Sequence, residues 1–439
     1  MKPILSQHFQ TRLPSAIRLT QIEFMKRTDQ VIAVNTAIGN VSLPMHPSMA
    51  RRMFALDAPE SPFRQGVVKY STTIGEVETT QAFLHLIASS GFSTDGLFCQ
   101  ITDGGSQAME LAVLGICGPA GSGSGTRPLL VLDPTYPNYL SMAERTGRSL
   151  IAVTRPLEEN GRFSMPPIAE IEKVIQEAKP GALLVIPYDN PTGQFFPQSV
   201  LNDLAKLCVK YNLWMISDEA YREIFYTGEK TCSVWGISES DVPGITGRRI
   251  SIETASKIWN ACGLRIGALI TDSADFHERA IAENTANLCS NVIGQYIFGA
   301  LLHETKEQLQ AWFKKQREYY REISERVTSG LKKEVPELIV STPDAALYAV
   351  LDMRNIFGAD FETTEFAMYC AQKGKARVNG VDKTLLIAPM SGCYSPRPGA
   401  PNLGKTQIRI AFVETPQVLA EVPSLFAQLL RDFQQKDSA

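Results

Sequence analysis

Several short stretches of this 439-residue chain carry side chains suited to chemistry on a small polar ligand. Asn190-Pro191-Thr192-Gly193 follows the apolar run Leu183–Tyr188; taken alone, it is equally an ordinary turn. Asp218 closes Trp214-Met215-Ile216-Ser217, and Tyr221 stands three positions on. An aspartate there either caps the next helix or holds a proton on a ligand nitrogen, with Tyr221 facing the same pocket. Ile250–Glu253 leads into Thr254-Ala255-Ser256-Lys257, and Arg265 follows eight positions later among Leu264, Ile266, Ala268 and Leu269. Most lysines are solvated surface charges; a Ser-Lys pair at the end of an apolar strand fits that reading poorly. Thr102-Asp103-Gly104-Gly105-Ser106-Gln107 opens a helix Ala108–Ile116, so Gly104, Gly105 and Ser106 could turn backbone N–H groups toward an anion. Gly-Gly before a helix is also an ordinary loop in most chains. Arg409, within Gln407-Ile408-Arg409-Ile410-Ala411-Phe412, should face away from Ile408 and Ile410, toward either solvent or a ligand.

The elements that must position these residues read as alternating strands and helices. Apolar runs at Leu129–Asp133, Ile151–Thr154, Leu183–Tyr188, Leu213–Ser217 and Ala268–Thr271 are mostly followed by turn residues and a helix-period stretch such as Val200–Tyr211. That alternation predicts an α/β fold: a mainly parallel sheet sandwiched by helices. From about Lys306, Leu309, Trp312, Phe313, Tyr319, Tyr320, Ile323, Val327 and Leu331 recur three and four apart, a long amphipathic helix. Apolar runs Ala345–Asp352 and Gln407–Phe412 and a last helix near Val418–Phe433 suggest a smaller α+β domain. The expected division is an N-terminal arm and part of the small domain over 1–50, a large domain over 51–310 and the rest of the small domain over 311–439. The Gly/Ser tract Gly118–Gly125 reads as a surface loop.

Composition narrows the classes. Hydrophobic residues are 44% and charged residues 20%, close to a soluble globular average. A net charge of −3 gives no drive toward nucleic acid or an anionic membrane. No run approaches a membrane span, and Met1–Arg27 has no signal-peptide core, so a cytoplasmic protein is expected. Eight scattered cysteines without a CxxC pair read as reduced thiols, and the five dispersed histidines give no metal-ligand spacing.

Together the motifs become specific. Asn190-Pro-Thr-Gly, Asp218 28 positions later with Tyr221, Lys257 39 positions after Asp218, and Arg265 eight further on follow one order and spacing. This resembles the fold-type I, pyridoxal-phosphate-dependent class I/II aminotransferases, from about Gly39 to Arg409. The resemblance implies that Lys257 forms the Schiff base with the cofactor aldehyde and moves the α-proton, and that Asp218 pairs with the pyridine nitrogen. It implies that Asn190 and Tyr221 bind the ring 3-oxygen, and that Tyr136, in Asp133-Pro134-Thr135-Tyr136, stacks on the ring; a Pro-braced core tyrosine is the alternative there. Gly104, Gly105, Ser106, Thr254, Ser256 and Arg265 would cradle the phosphate. Tyr70 would reach the phosphate of a neighbouring subunit, making the active unit a homodimer with shared sites. Arg409 would grip the substrate α-carboxylate and Gly39 would approach the substrate through its backbone. Asn40-Val41 stands where Glu-Pro is commoner, and Pro389-Met390-Ser391-Gly392-Cys393-Tyr394 where Pro-Gly is more usual.

The implied activity is transfer of an amino group from an L-amino acid to a 2-oxo acid by a ping-pong mechanism, with aspartate and 2-oxoglutarate as the favoured pair. The same fold also hosts lyases and synthases. A ligand-sensing module is a third reading, against which only about 35 residues precede the first motif.

Overall fold

The computed structural model describes residues 3–118, 125–397 and 399–437. Residues 119–124 of the tract expected as a surface loop lie outside them. The centre is a seven-stranded sheet. Its order is Phe98–Asp103, Ile266–Thr271, Arg249–Thr254, Trp214–Asp218, Ala182–Val185, Leu129–Asp133 and Leu150–Thr154. Only Ile266–Thr271 runs antiparallel to its neighbours.

Strand periodicity sends alternate residues to opposite faces, and both faces are buried. Leu130, Leu132, Leu183, Val185 and Met215 join a core with Phe83, Leu86, Leu201 and Leu204, from the helices Val77–Ser89 and Gln198–Lys210. Leu129, Val131, Leu184 and Ile216 join a separate core with Ala108, Met109, Tyr139 and Phe276, from helices on the other face. Each fully buried Leu or Ile contributes about 1.5–3 kcal/mol, so the two cores outweigh any single polar contact in fixing the sheet. The expected helix-covered parallel sheet is what the chain forms.

A four-stranded antiparallel sheet holds Ala388–Pro389, Gln407–Ala411, Tyr348–Asp352 and Ile339–Val340. A three-stranded sheet pairs Ile32–Asn35 in parallel with Val381–Leu386, and the latter with Ala376–Val378. The start of the chain is thus stitched to its last quarter. The long helix is Lys306–Glu334, opened by a capping box between Thr305 and Gln308, and it packs on Val422–Asp437. It spans the expected boundary at 310.

The topology explains why distant motifs meet. Asp103, Asp133, Val185, Asp218 and Thr254 all end parallel strands, and Ile266 begins the antiparallel one. The segments after the first five and before the last therefore share one edge of the sheet, where open α/β sheets place their ligands.

Candidate active site

At that edge lies a cavity of about 380 Å³. Gly39, Gly105, Ser106, Tyr136, Asn190, Asp218, Tyr221, Thr254, Ser256, Lys257, Arg265 and Arg409 line it. Gly104 stands just behind: at φ +73° it turns the strand into the helix Gly104–Ile116, and a Cβ there would sit 2.5 Å from Arg265 Nη2. Tyr70 is not in the cavity. It is 79% exposed and borders a separate groove with Phe63, Val67 and Tyr296.

Lys257 follows the turn after Arg249–Thr254, and its Nζ donates to the Gly39 carbonyl at 2.6 Å. A Cβ on Gly39 would run into the Tyr348 hydroxyl and lie 3.2 Å from Lys257 Nζ, so the close approach requires glycine. Asp218 accepts from the Tyr139 hydroxyl on one oxygen and from Ala220 N–H at 3.1 Å on the other. Burial raises its proton affinity, while these two donors and the Lys257 charge act in the opposite direction. Asn190 Nδ2 donates to Tyr221 Oη at 3.2 Å, and Tyr221 and Tyr348 share a hydroxyl contact of 2.8 Å. Burial and the neighbouring Tyr348 hold Tyr221 well above the ordinary phenol range, so near neutrality it remains a hydrogen-bond donor.

Arg409 is 5% exposed. Its guanidinium lies 4.5 Å from the Tyr348 ring centre and donates to Asn190 Oδ1 at 3.0 Å and Ala37 O at 2.6 Å. Its Nε is buried without a hydrogen-bond partner. On the opposite side of the cavity, the helix Gly104–Ile116 begins without a side-chain cap, which leaves its first N–H groups open. Thr254 and Ser256 hydroxyls lie 2.7 Å apart beside it, and Arg265, in left-handed backbone at φ 54°, turns its guanidinium the same way.

Sequence reasoning missed two of these partners. Tyr139 sits one helical turn after Tyr136 in the same motif, and that spacing is the signal that could have found it. Tyr348 lies inside an apolar run and looks like any core tyrosine. Two buried ion networks were missed as well. Arg155 binds Asp189 at 2.7 Å and the Pro134 carbonyl at 2.7 Å, tying the Asn190 turn to the Tyr136 turn. Arg222 bridges Glu253 at 2.5 Å and Glu219, the residues beside Thr254 and Asp218.

The donor set fits pyridoxal phosphate. An uncapped helix start, two hydroxyls and an arginine suit its phosphate; a buried carboxylate suits the ring nitrogen; Asn190 and Tyr221 suit the ring oxygen; Lys257 suits the aldehyde. The chain belongs to the class I and II aminotransferases, whose family model matches residues 64–422, and these are pyridoxal-phosphate-dependent transaminases. An aspartate/prephenate aminotransferase of Thermus thermophilus is 25% identical over 387 residues, covering 86% of this chain and 91% of that protein. A 2-aminoadipate transaminase of Thermus thermophilus is 25% identical over 256 residues, 58% and 59% of the two chains. A single mutant of Thermus thermophilus aspartate aminotransferase shares the fold with a TM-score of 0.78, over 98% of this chain and 100% of that one at 21% identity. No helix among the described residues is long and apolar enough to cross a membrane.

Proposed function

We propose that this chain moves an amino group between an L-amino acid and a 2-oxo acid in two successive half-reactions at this one cavity. The convergence of Lys257, Asp218, Asn190, Tyr221 and Arg409 at one sheet edge carries the reading. When bound, pyridoxal phosphate supplies an aldehyde that accepts the amino group and a protonated ring that draws electrons as the α-proton leaves. Lys257 holds the cofactor and, once displaced by the incoming amine, takes and returns the substrate α-proton through Nζ. Asp218, kept in place by Tyr139, holds the proton on the ring nitrogen. Asn190 and Tyr221 donate to the ring oxygen, and Tyr136 covers the ring face.

Gly105, Ser106, Thr254, Ser256 and Arg265, with Gly104 behind them, hold the phosphate. Arg409 fixes the α-carboxylate through its planar fork and so orients the α-carbon toward Lys257. Residues 1–50 and 311–439 act as a small domain that closes over substrate and excludes water; the pairing of Ile32–Asn35 with Val381–Leu386 supports that grouping. Tyr70, exposed beside Val67 and Val68, reaches the phosphate of a second copy in a homodimer. Aspartate with 2-oxoglutarate is the substrate pair we favour, on the name of the relative aligned over most of the chain.

The test is a stepwise assay of the cofactor-loaded protein with one amino acid at a time. Conversion of the donor to its 2-oxo acid, at most one equivalent per site until 2-oxoglutarate is added, supports the reading. Continuous release of ammonia or of a cleaved product overturns it.

A further inference from the structure

Tyr348 lines the cavity, yet the chemistry above gives it no task. It belongs to the four-stranded sheet, whereas Asn190 and Tyr221 follow strands of the seven-stranded one. Its side chain is fully buried, and its hydroxyl lies 2.8 Å from the Tyr221 hydroxyl, where either oxygen can donate. Tyr221 Oη already accepts from Asn190 Nδ2 at 3.2 Å, and Asn190 Oδ1 accepts from Arg409 at 3.0 Å. The Arg409 guanidinium in turn lies 4.5 Å from the Tyr348 ring centre. Four side chains thus close a circuit, from Arg409 through Asn190, Tyr221 and Tyr348 back to Arg409. It joins the group proposed for the α-carboxylate to the groups proposed for the ring oxygen.

The backbone holds Tyr348 to both partners. Asp344 and Ala345 N–H donate to the Gly193 carbonyl at 2.8 and 2.7 Å, which ties the approach to Tyr348 to the Asn190 turn. Ala346 N–H donates to the Ile224 carbonyl at 2.9 Å, just past Tyr221. Tyr348 opens the strand Tyr348–Asp352, whose Val350 stands opposite Arg409. Residues two apart on a strand share a face, so Tyr348 and Arg409 are diagonal neighbours on one side of that sheet. Burial alone does not bring a tyrosine hydroxyl to a partner: that of Tyr320, equally buried, has none among the described residues.

We propose that Tyr348 is a positioning residue for Tyr221: its hydroxyl donates to Tyr221 Oη and so leaves the Tyr221 proton for the ring oxygen of the cofactor. This rests on the site proposed above, in which Tyr221 donates to that oxygen. A tyrosine hydroxyl has one proton and accepts through its oxygen, while Asn190 Nδ2 has two protons, one for Tyr221 and one for the ring oxygen. With Asn190 and Tyr348 both donating to Tyr221 Oη, the Tyr221 proton has one direction left. Were Tyr348 the acceptor, that proton would point at it and the ring oxygen would lose a donor. Hydrogen bonds in a chain polarise one another, so a Tyr221 that accepts two bonds donates a stronger one. A stronger donor draws charge from the ring oxygen and lowers the proton affinity of the cofactor atoms beside it.

The experiment is a pH titration of the visible absorption of the protein loaded with pyridoxal phosphate, in wild type, Tyr348→Phe, Tyr221→Phe and the double variant. Tyr348→Phe keeps the ring on Arg409 and removes the hydroxyl alone. The charged side chains lining the cavity among the described residues, Arg18, Asp218, Lys257, Arg265 and Arg409, are the same in all four proteins. The midpoint in Tyr348→Phe is expected to rise by roughly half to one pH unit, the scale of one neutral hydrogen bond. Tyr221→Phe should raise it at least as far, and the double variant should match Tyr221→Phe, because Tyr348 acts through Tyr221. An unchanged or lowered midpoint in Tyr348→Phe overturns the assignment, a fall marking Tyr348 as an acceptor that competes with the ring oxygen. Additive shifts in the double variant overturn it too, marking Tyr348 as a packing residue. The titration reads a proton on the cofactor and not amino transfer. A protein that shows the expected shifts yet converts no amino acid therefore upholds the assignment of Tyr348 and refutes transamination, so the two failures are distinguishable.

Discussion

Arg409→Gln removes the group proposed to hold the α-carboxylate. The side chain is 5% exposed, and its two observed bonds, to Asn190 Oδ1 and Ala37 O, leave Nε without a partner. Glutamine cannot reproduce a planar charged fork, and the substrate carboxylate would enter a buried site unpaired. Truncating one partner of a buried, hydrogen-bonded charge pair costs about 2–5 kcal/mol. That corresponds to roughly 30- to 5000-fold in kcat/KM for an amino acid. The same change strips a donor from Ala37 O and Asn190 Oδ1, so some loss reflects a disturbed site. Comparing L-alanine with ethylamine, which lacks the carboxylate, separates the two. The expected outcome is that alanine loses its advantage over ethylamine by the stated factor, while thermal unfolding stays cooperative and cofactor is still bound. An alanine-to-ethylamine ratio within about threefold of wild type would refute the reasoning, because it would place Arg409 in the scaffold and not on the carboxylate.

Three further outcomes follow from the same geometry. Tyr139→Phe removes the hydroxyl from Asp218; cofactor affinity, measured by titration, is expected to fall roughly tenfold or more, as for a hydrogen bond to a charged group. Gly39→Ala places a Cβ against the Tyr348 hydroxyl and 3.2 Å from Lys257 Nζ; the overpacking cost of about 1–3 kcal/mol should appear as a slowed α-proton step, read from single-turnover rates, in a chain that still folds. Burial holds the Glu253 carboxyl up at about 7, against 4.5 ordinarily, so the folded chain keeps a proton that the unfolded chain has released. Stability of wild type relative to Glu253→Gln should therefore fall as pH rises from about 4.5 to about 7, by at most roughly 1.4 kcal/mol per pH unit for one proton. Paired denaturant titrations across that range check it.

How legible was this in the sequence? The run Leu129–Asp133 is a strand to the residue, and Leu183–Tyr188 is a strand as far as Val185, after which Tyr188 bridges to Phe195. The strand Phe98–Asp103 escaped because Gln100 and Thr102, polar yet fully buried, break its apolar pattern. Ile32–Asn35 escaped because four residues carry little periodicity, and its pairing partner lies some 350 positions away. Motif residues at strand ends were readable because order and spacing survive without neighbours. Tyr348 was not: a tyrosine in an apolar run looks the same inside or outside a site. Only the fold, which sets Tyr348 of the four-stranded sheet against a cavity at the edge of the seven-stranded one, distinguishes it.

The most direct test of the central claim is the visible absorption of the protein loaded with pyridoxal phosphate, followed through one half-reaction and back, in wild type and Lys257→Ala. Wild type should turn yellow, lose that colour on adding a single donor amino acid, and regain it when 2-oxoglutarate is added. Lys257→Ala should bind cofactor yet complete neither change at a comparable rate. A wild-type colour that no amino acid alters, or a Lys257→Ala protein that cycles as fast as wild type, would contradict the account.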